Sequence, residues 1–331
     1  MEKFGELPGG EPVARLTLVG GGLTARVLTW GAVLQDLRLD GHAAPLVLGF
    51  DSFAPYPECS PHFGAAAGRC ANRIRDGHLE LGGKTYRLDR NAAGGHMLHG
   101  GAAGTGTRLW RVLDAAADAA TLGITLADGE MGFPGRLEAE IRYRLLPGAV
   151  LDIAFRAETD APTLCNFAHH SYFNLDGGAS VSDHLLRVAA EHYLPVDAGL
   201  IPTGELRPVA GTRFDFRRPR PVAQAHPLDH NFCLSASRRK LRPVAWLESP
   251  ASGVALECRS TEPGLQLYDA GGLDIALPGL AGQRLGRHAG LAIEPQVWPD
   301  AAHHPHFPQA VLLPGETYRQ ETQFAFSKAP A

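Results

Sequence analysis

The segment Ala168-His169-His170-Ser171-Tyr172-Phe173-Asn174-Leu175 sets two imidazoles side by side in front of aromatic and amide residues. Far along the chain, Leu291-Ala292-Ile293-Glu294-Pro295-Gln296 places one carboxylate in an apolar strand pattern. An imidazole and a carboxylate are the side chains best suited to moving protons near neutral pH, one as acid and the other as base. In an extended segment neighbouring side chains point to opposite faces, so His169 and His170 cannot both enter one pocket. Asn166, Ala168, His170 and Tyr172 share one face, and Cys165, Phe167, His169, Ser171 and Phe173 share the other. The pattern alone leaves open which face is functional. Glu294 shares its face with Ala292, opposite Leu291 and Ile293, on either a solvated surface or a pocket wall. Pro295 cannot donate to a ladder and holds Glu294 extended, which predicts that the strand ends there and that the carboxylate stands at a loop edge.

The elements that position these groups read as strands. Over Arg136 to Leu145, Leu137, Ala139, Ile141, Tyr143 and Leu145 alternate with Arg136, Glu138, Glu140, Arg142 and Arg144, the period-two pattern of a sheet with one buried and one wet face. Similar segments occur at Val13 to Val19, Leu23 to Thr29, Val150 to Glu158 and Tyr318 to Phe326, separated by turn clusters such as Gly20-Gly21-Gly22, Gly82-Gly83 and Pro147-Gly148. Only Ala115 to Ala120 is helix-like in composition, with a decorated loop as the alternative. No linker, low-complexity tract or short repeat divides the chain. The expected fold is all-β, one large antiparallel β-sandwich forming a single domain over residues 1–331.

Composition narrows the function. A formal charge of −4 without a Lys/Arg-rich run indicates neither a nucleic-acid footprint nor a polybasic membrane patch, and a small neutral or weakly polar ligand fits better. The N-terminal Met1-Glu2-Lys3-Phe4-Gly5 lacks the apolar core of a signal peptide, and no apolar run has the length of a membrane span. Cys59, Cys70, Cys165, Cys233 and Cys258 are odd in number and never form a CxxC pair, which predicts free thiols in a reducing cytoplasm.

Eight motifs in order are similar to those of the aldose 1-epimerase (galactose mutarotase) family. They are Gly68-Arg69-Cys70-Ala71-Asn72-Arg73-Ile74, Leu98-His99-Gly100-Gly101, Asp128-Gly129-Glu130-Met131-Gly132-Phe133-Pro134-Gly135, His170-Ser171-Tyr172-Phe173-Asn174-Leu175, Asp229-His230-Asn231-Phe232, Thr261-Glu262-Pro263-Gly264-Leu265-Gln266-Leu267-Tyr268, Glu294-Pro295-Gln296 with Pro299-Asp300-Ala301, and Leu313-Pro314-Gly315-Glu316. The resemblance implies a β-supersandwich, with His170 as general acid, Glu294 as general base, and Asn72, Arg73, His99, Asp229 and Gln266 around a sugar. His169 is then incidental. The implied reaction takes the proton from the C1 hydroxyl while giving one to the ring oxygen, so that the ring opens and recloses on the other face. An imidazolium and a carboxylate complete it, with no metal or other cofactor expected. Ala168-His169 and Thr105 depart from the usual pattern, as does the His303-His304 region, and these departures bear on which sugar is preferred; galactose or glucose is the default expectation. A non-catalytic sugar-binding protein on the same scaffold is the alternative. A metal-dependent sugar enzyme built on His303-His304-Pro305-His306 ranks below both, because such a cluster around a proline reads as a solvated loop.

Overall fold

The computed structural model describes residues 1–60 and 62–328. Among them the expected alternation becomes a layered antiparallel structure. Leu137–Leu146 buries Leu137, Ala139, Ile141, Tyr143 and Leu145 and pairs in register with Val150–Thr159, which in turn pairs with Tyr318–Lys328. These are the centre of a nine-stranded sheet that runs from Arg111–Ala115 at one edge to Arg220–Pro221 at the other. A four-stranded sheet is built from Glu2–Glu6, Pro12–Gly20, Leu23–Leu28 and Leu34–Leu39. A six-stranded sheet runs in the order Tyr172–Phe173, Leu291–Gln296, Gly264–Tyr268, Asp229–Cys233, His192–Tyr193 and Arg207–Pro208. The main core lies between sheets: Ile141, Phe155 and Phe324 of the first meet Leu16 and Val27 of the second and Phe173, Leu265 and Ile293 of the third. Removing apolar side chains of two facing sheets from water is the dominant stabilisation of such a sandwich.

One local alternative is resolved in favour of the loop, and one expectation is corrected. The Ala-rich run Ala115 to Ala120 is the turn of a hairpin joining Arg111–Ala115 to Ala119–Leu126, with Ala115 opposite Ala120. Six residues without an apolar helical face cannot support a helix nucleus, whereas Ala120, Leu122 and Ile124 gain a core face as a strand. The strand carrying Glu294 does not end at Pro295: Pro295 pairs with Leu265 and Gln296 with Gly264. On the side away from Leu265, the neighbouring Tyr172–Phe173 pairs only with Ala292 and Leu291, so no strand opposite Pro295 requires its missing N–H. Glu294 is therefore interior to a sheet instead of standing at its edge.

The two segments of chemical interest are tied together through the nine-stranded sheet. The Phe167 N–H donates to the Tyr318 hydroxyl at 3.0 Å, that hydroxyl donates to Gln320 Oε1 at 2.8 Å, and Gln320 Nε2 donates to the Pro295 carbonyl at 2.8 Å. Tyr318 and Gln320 are both buried. Replacing Gln320 by Leu leaves the Pro295 carbonyl without its partner and should lower the unfolding free energy by about 1–3 kcal/mol, measured by urea denaturation.

Candidate active site

The pleat of the six-stranded sheet sorts its side chains into two sets. Leu265, Leu267, Leu291 and Ile293 enter the main core. The opposite face carries Glu294, directly across from Gln266, which is itself across from Asn231; one row over, Ala292 faces Tyr268 and Tyr268 faces Asp229. This face is the floor of a cleft. Gln266 Nε2 donates to Asp229 Oδ1 at 2.5 Å, and Arg73 Nη1 approaches Asp229 Oδ2 at 3.7 Å. His170 Nε2 stands 3.5 Å from Glu294 Oε1, with both side chains almost fully buried. His170 Nδ1 and Glu294 Oε2 have no hydrogen-bond partner among the described residues.

Arg73 and His99 reach the cleft on a backbone held by a buried guanidinium. Arg69 Nη1 donates to the carbonyls of Pro134 and Gly135 at 2.9 and 2.7 Å, anchoring the Gly68-to-Ile74 segment to the turn after Asp128. The Ala71 N–H donates to the Asn166 carbonyl at 2.7 Å, and the Val297 N–H to Asn166 Oδ1 at 2.9 Å, so one asparagine links this segment to the end of the Glu294 strand. Asn72, at φ 62°, donates its N–H to His99 Nδ1 at 3.2 Å. Because Nδ1 accepts, the His99 proton resides on Nε2, leaving that nitrogen as a donor. Gly100, at φ +86°, could not carry a side chain, since a Cβ there would lie 1.9 Å from the Gly68 carbonyl oxygen. The seven residues singled out from the sequence, His170, Glu294, Asn72, Arg73, His99, Asp229 and Gln266, thus converge on one cleft. His62 and Asn231 were missed. The His62 ring lies 4.7 Å from His99 and 5.7 Å from His170, and Asn231 is buried with its amide unpartnered. The Asn231 signal was present, since it shares its strand face with Asp229; nothing local in Ser60-Pro61-His62-Phe63 announces His62.

Burial acts on both members of the central pair. It pushes the His170 imidazole down to about 3, with the neighbouring His62 acting in the same direction, and it pushes the Glu294 carboxyl well above the usual carboxylate range, Asp229 adding and Arg73 opposing. Burial thus acts against the charged form of each partner, the imidazolium and the carboxylate, and toward the neutral imidazole and the protonated carboxyl. Both forms hold one proton. They differ only in which partner carries it. Asp229 is raised by burial against the opposing pull of Arg73 and Gln266.

Other histidines are engaged elsewhere. His303 Nδ1 lies 2.6 Å from Asp300 Oδ1, His304 Nε2 lies 3.7 Å from Asp300 Oδ2, and His306 Nε2 bonds the Gly204 carbonyl at 2.9 Å, so this cluster fastens its own loop. Among the described residues, His226, Asp269 and His288 alone bring three metal-capable ligand atoms together. His226 Nδ1 is in close contact with Asp269 Oδ2, while His288 Nδ1 bonds the Asp269 carbonyl at 3.1 Å. The two rings stack with their centroids 3.8 Å apart. Their present arrangement is that of hydrogen-bond donors to one aspartate.

The family model for aldose 1-epimerase matches residues 14–325. The chain belongs to the aldose 1-epimerase family. It is 41% identical to galactose mutarotase of Mus musculus over 344 residues, covering 98% of each chain, and 34% identical to aldose 1-epimerase of Escherichia coli K12 over 336 residues, covering 96% of each. The crystal structure of an aldose epimerase homologue from C. elegans superposes with a TM-score of 0.91 at 31% identity, covering 96% of this chain and all of that one. The protein is an isomerase that interconverts the α- and β-anomers of a free aldose, a small-molecule sugar substrate. Among the described residues of the epimerase no helix is long and apolar enough to cross a membrane.

His169, the other half of the pair of imidazoles, faces the apolar core of the epimerase against Tyr143 and Phe324 and has neither ring nitrogen hydrogen-bonded. Burial pushes it down to about 3. A histidine kept neutral in the folded state is protonated first in the unfolded state, so stability falls with pH below ~6.5, by about 1.4 kcal/mol per pH unit for one such group. His169→Leu should therefore keep anomer interconversion and remove about 2 kcal/mol of the stability lost between pH 7 and pH 5, as read by urea denaturation at the two values.

Proposed function

We propose that Glu294 is the general base and His170 the general acid of the epimerisation, with Asn72, Arg73, His99, Asp229 and Gln266 holding the sugar. The observation that carries this reading is the buried approach of His170 Nε2 to Glu294 Oε1 at 3.5 Å, on a face otherwise lined with hydroxyl-binding groups. In the reacting complex Glu294 accepts the C1 hydroxyl proton as His170 donates one to the ring oxygen. The C1–O5 bond breaks, its electron pair goes to the protonated ring oxygen, and C1 becomes an aldehyde. Rotation about C1–C2 and reversal of both transfers closes the ring on the other face. Ring opening carries the pair from imidazolium and carboxylate to neutral imidazole and carboxyl, the form that burial favours. Water exclusion thus strengthens His170 as an acid and Glu294 as a base at once.

Arg73 and Gln266 engage Asp229, which leaves a polarised carboxylate and a forked donor for sugar hydroxyls, and Nε2 of His99 adds a further donor. A galactose- or glucose-type aldose suits this set, since a wrong epimer leaves buried groups without partners. Five unpaired cysteines, Cys70, Cys165 and Cys258 among them buried, suit a reducing cytoplasm.

His170→Ala and Glu294→Gln should each lower anomer interconversion by about 10²–10⁴-fold in folded protein, measured by polarimetry of freshly dissolved sugar; near-normal turnover in either would remove that residue from the mechanism. The wild-type rate should follow a bell in pH. Its alkaline limb is loss of the one proton shared by the pair and its acid limb is gain of a second, so the two apparent values belong to the pair together. Because proton transfers alone complete the reaction, activity should survive exhaustive chelation. Loss on chelation, restored by one specific metal, would overturn that expectation.

A further inference from the structure

Three residues that the proton transfers do not use meet at one edge of the six-stranded sheet. His226 lies shortly before Asp229–Cys233, Asp269 directly follows Gly264–Tyr268, and His288 lies shortly before Leu291–Gln296. These strands are neighbours in the sheet, and they carry Asp229, Gln266 and Glu294. The ligand atoms that His226, Asp269 and His288 offer all lie within 4.8 Å of one another.

The carboxylate is the fixed member of the group. Asp269 is buried, with Oδ1 accepting from the Gly271 N–H and Oδ2 from the Leu228 N–H, both at 2.9 Å. A carboxylate anchored to the backbone in this way is oriented before any ligand arrives. His226 Nδ1 is in close contact with Asp269 Oδ2, and His288 Nδ1 lies 3.7 Å from the same oxygen. Behind the first ring, His226 Nε2 meets the Ser182 hydroxyl at 3.2 Å, and that hydroxyl accepts from Ser180 Oγ at 2.8 Å. A hydroxyl both donates and accepts, so Ser182 supports either tautomer of His226. One of these carries its proton on Nε2 and leaves the Nδ1 lone pair free for a ligand.

We propose that His226 Nδ1, Asp269 Oδ2 and His288 Nδ1 bind one divalent transition-metal ion of the zinc class, which clamps the ends of three strands and takes no part in the proton transfers of the cleft. Two imidazoles and one carboxylate suit such an ion, whereas calcium and magnesium take oxygen ligands. The ion replaces the hydrogen bonds that now join both rings to Asp269, and each imidazole then holds its proton on Nε2. The stacked rings, 21° apart in plane, turn about their Cβ–Cγ bonds to point both lone pairs at one centre. With 21% and 20% of their side-chain surfaces exposed, His226 and His288 each have a solvent side to turn into. Gly271 keeps that approach open, since a Cβ there would stand 3.0 Å from Asp269 Oδ1 and 3.3 Å from His288 Cε1. The remaining coordination position is left to water.

The test titrates chelator-treated full-length protein with Zn²⁺ by calorimetry and with Co²⁺ by visible absorption. The wild type should take up one equivalent, and the Co²⁺ complex should show the strong d–d absorption of a four-coordinate site. Asp269→Asn and His288→Gln should each weaken Zn²⁺ binding by at least about a hundredfold, the upper end of what loss of a mere supporting partner causes. His226→Gln should do the same and serves if the Asp269 variant fails to fold. His303→Gln, in the other histidine cluster, should bind as the wild type does. Excess Zn²⁺ should raise the Tm of the wild type and leave that of the three ligand variants unchanged, because only an ion bound to the folded state stabilises it. Metal-free wild type and His288→Gln should interconvert anomers at the rate of the untreated protein, which reports their fold. The proposal is overturned if no stoichiometric uptake occurs, if the folded ligand variants bind as tightly as the wild type, if His303→Gln abolishes uptake in their place, or if removing the metal abolishes epimerisation. None of the binding readouts depends on the roles proposed for His170 and Glu294, so the two readings stand or fall separately.

Discussion

The structure depends on keeping water away from one carboxylate and one imidazole that stand 3.5 Å apart. In water this pair would sit as an ion pair of weak acid and weak base, with little drive to exchange its proton through a sugar. Buried, the charged form of each is penalised, and the two penalties act in the same chemical direction. The proposed ring opening discharges both partners, so it proceeds toward the state the protein environment prefers. Ring closure has to recreate the charges. A site that favoured the neutral pair without limit would trap the open aldehyde, and the neighbouring Arg73, which opposes the upward push on Glu294, restrains that tendency. Acid and base strength are therefore set by the balance between exclusion of water and one nearby guanidinium.

Holding such a pair requires that neither partner withdraw toward solvent, and both lie on structures with little freedom. Glu294 is flanked in its strand by Leu291–Ile293 and Gln296 and paired across to Gln266. His170 follows the short Ala168–His169 strand, which pairs with Ala66–Ala67, and its N–H bonds the Ala65 carbonyl at 2.9 Å. The Phe167, Tyr318, Gln320 and Pro295 hydrogen-bond chain then fixes one segment relative to the other from beneath, through the strand that stands at the centre of the nine-stranded sheet. The separation of His170 and Glu294 is in this sense a property of the sandwich and not of any loop.

Much of this was legible in the sequence because the physics that writes the pattern is local. The alternation over Leu137 to Leu145 follows from the pleat alone, and the same pleat requires His169 and His170 to part, one to the core and the other to the cleft. Choosing between them was not local: it needed the motifs, since the core that receives His169 is assembled from Tyr143 and Phe324, far away in the chain. Pro295 misled for a related reason. Its missing N–H ends a strand only where a neighbouring strand would have received it, and which strands lie alongside is a tertiary fact. His62 was invisible because its place beside the site depends on a left-handed backbone and on two rings contributed by residues 99 and 170. Protonation was the least legible property, as it depends on water exclusion, which no spacing encodes.

The chain's many imidazoles show why hydrogen-bond accounting has to be joined to surroundings before it speaks of function. His226 bonds the Asp269 carboxylate, His288 the Asp269 backbone carbonyl, and His303 the Asp300 carboxylate; both carboxylates are buried, and the imidazoles beside them stabilise them while fastening loops. His169 has no partner at either nitrogen, yet its neighbours are aromatic rings of a closed core, so an unpaired nitrogen there is only a cost to stability. His170 also has an unpaired nitrogen, but its other nitrogen faces a carboxylate with a free oxygen, across a cleft whose wall carries Arg73, Asp229 and Gln266. The same orphaned nitrogen is thus a structural liability in one position and, in the proposed mechanism, part of a proton donor in its neighbour. The difference lies in whether the adjoining space can admit a ligand that completes the missing bonds, and one residue's shift along a pleated strand is enough to exchange the two environments.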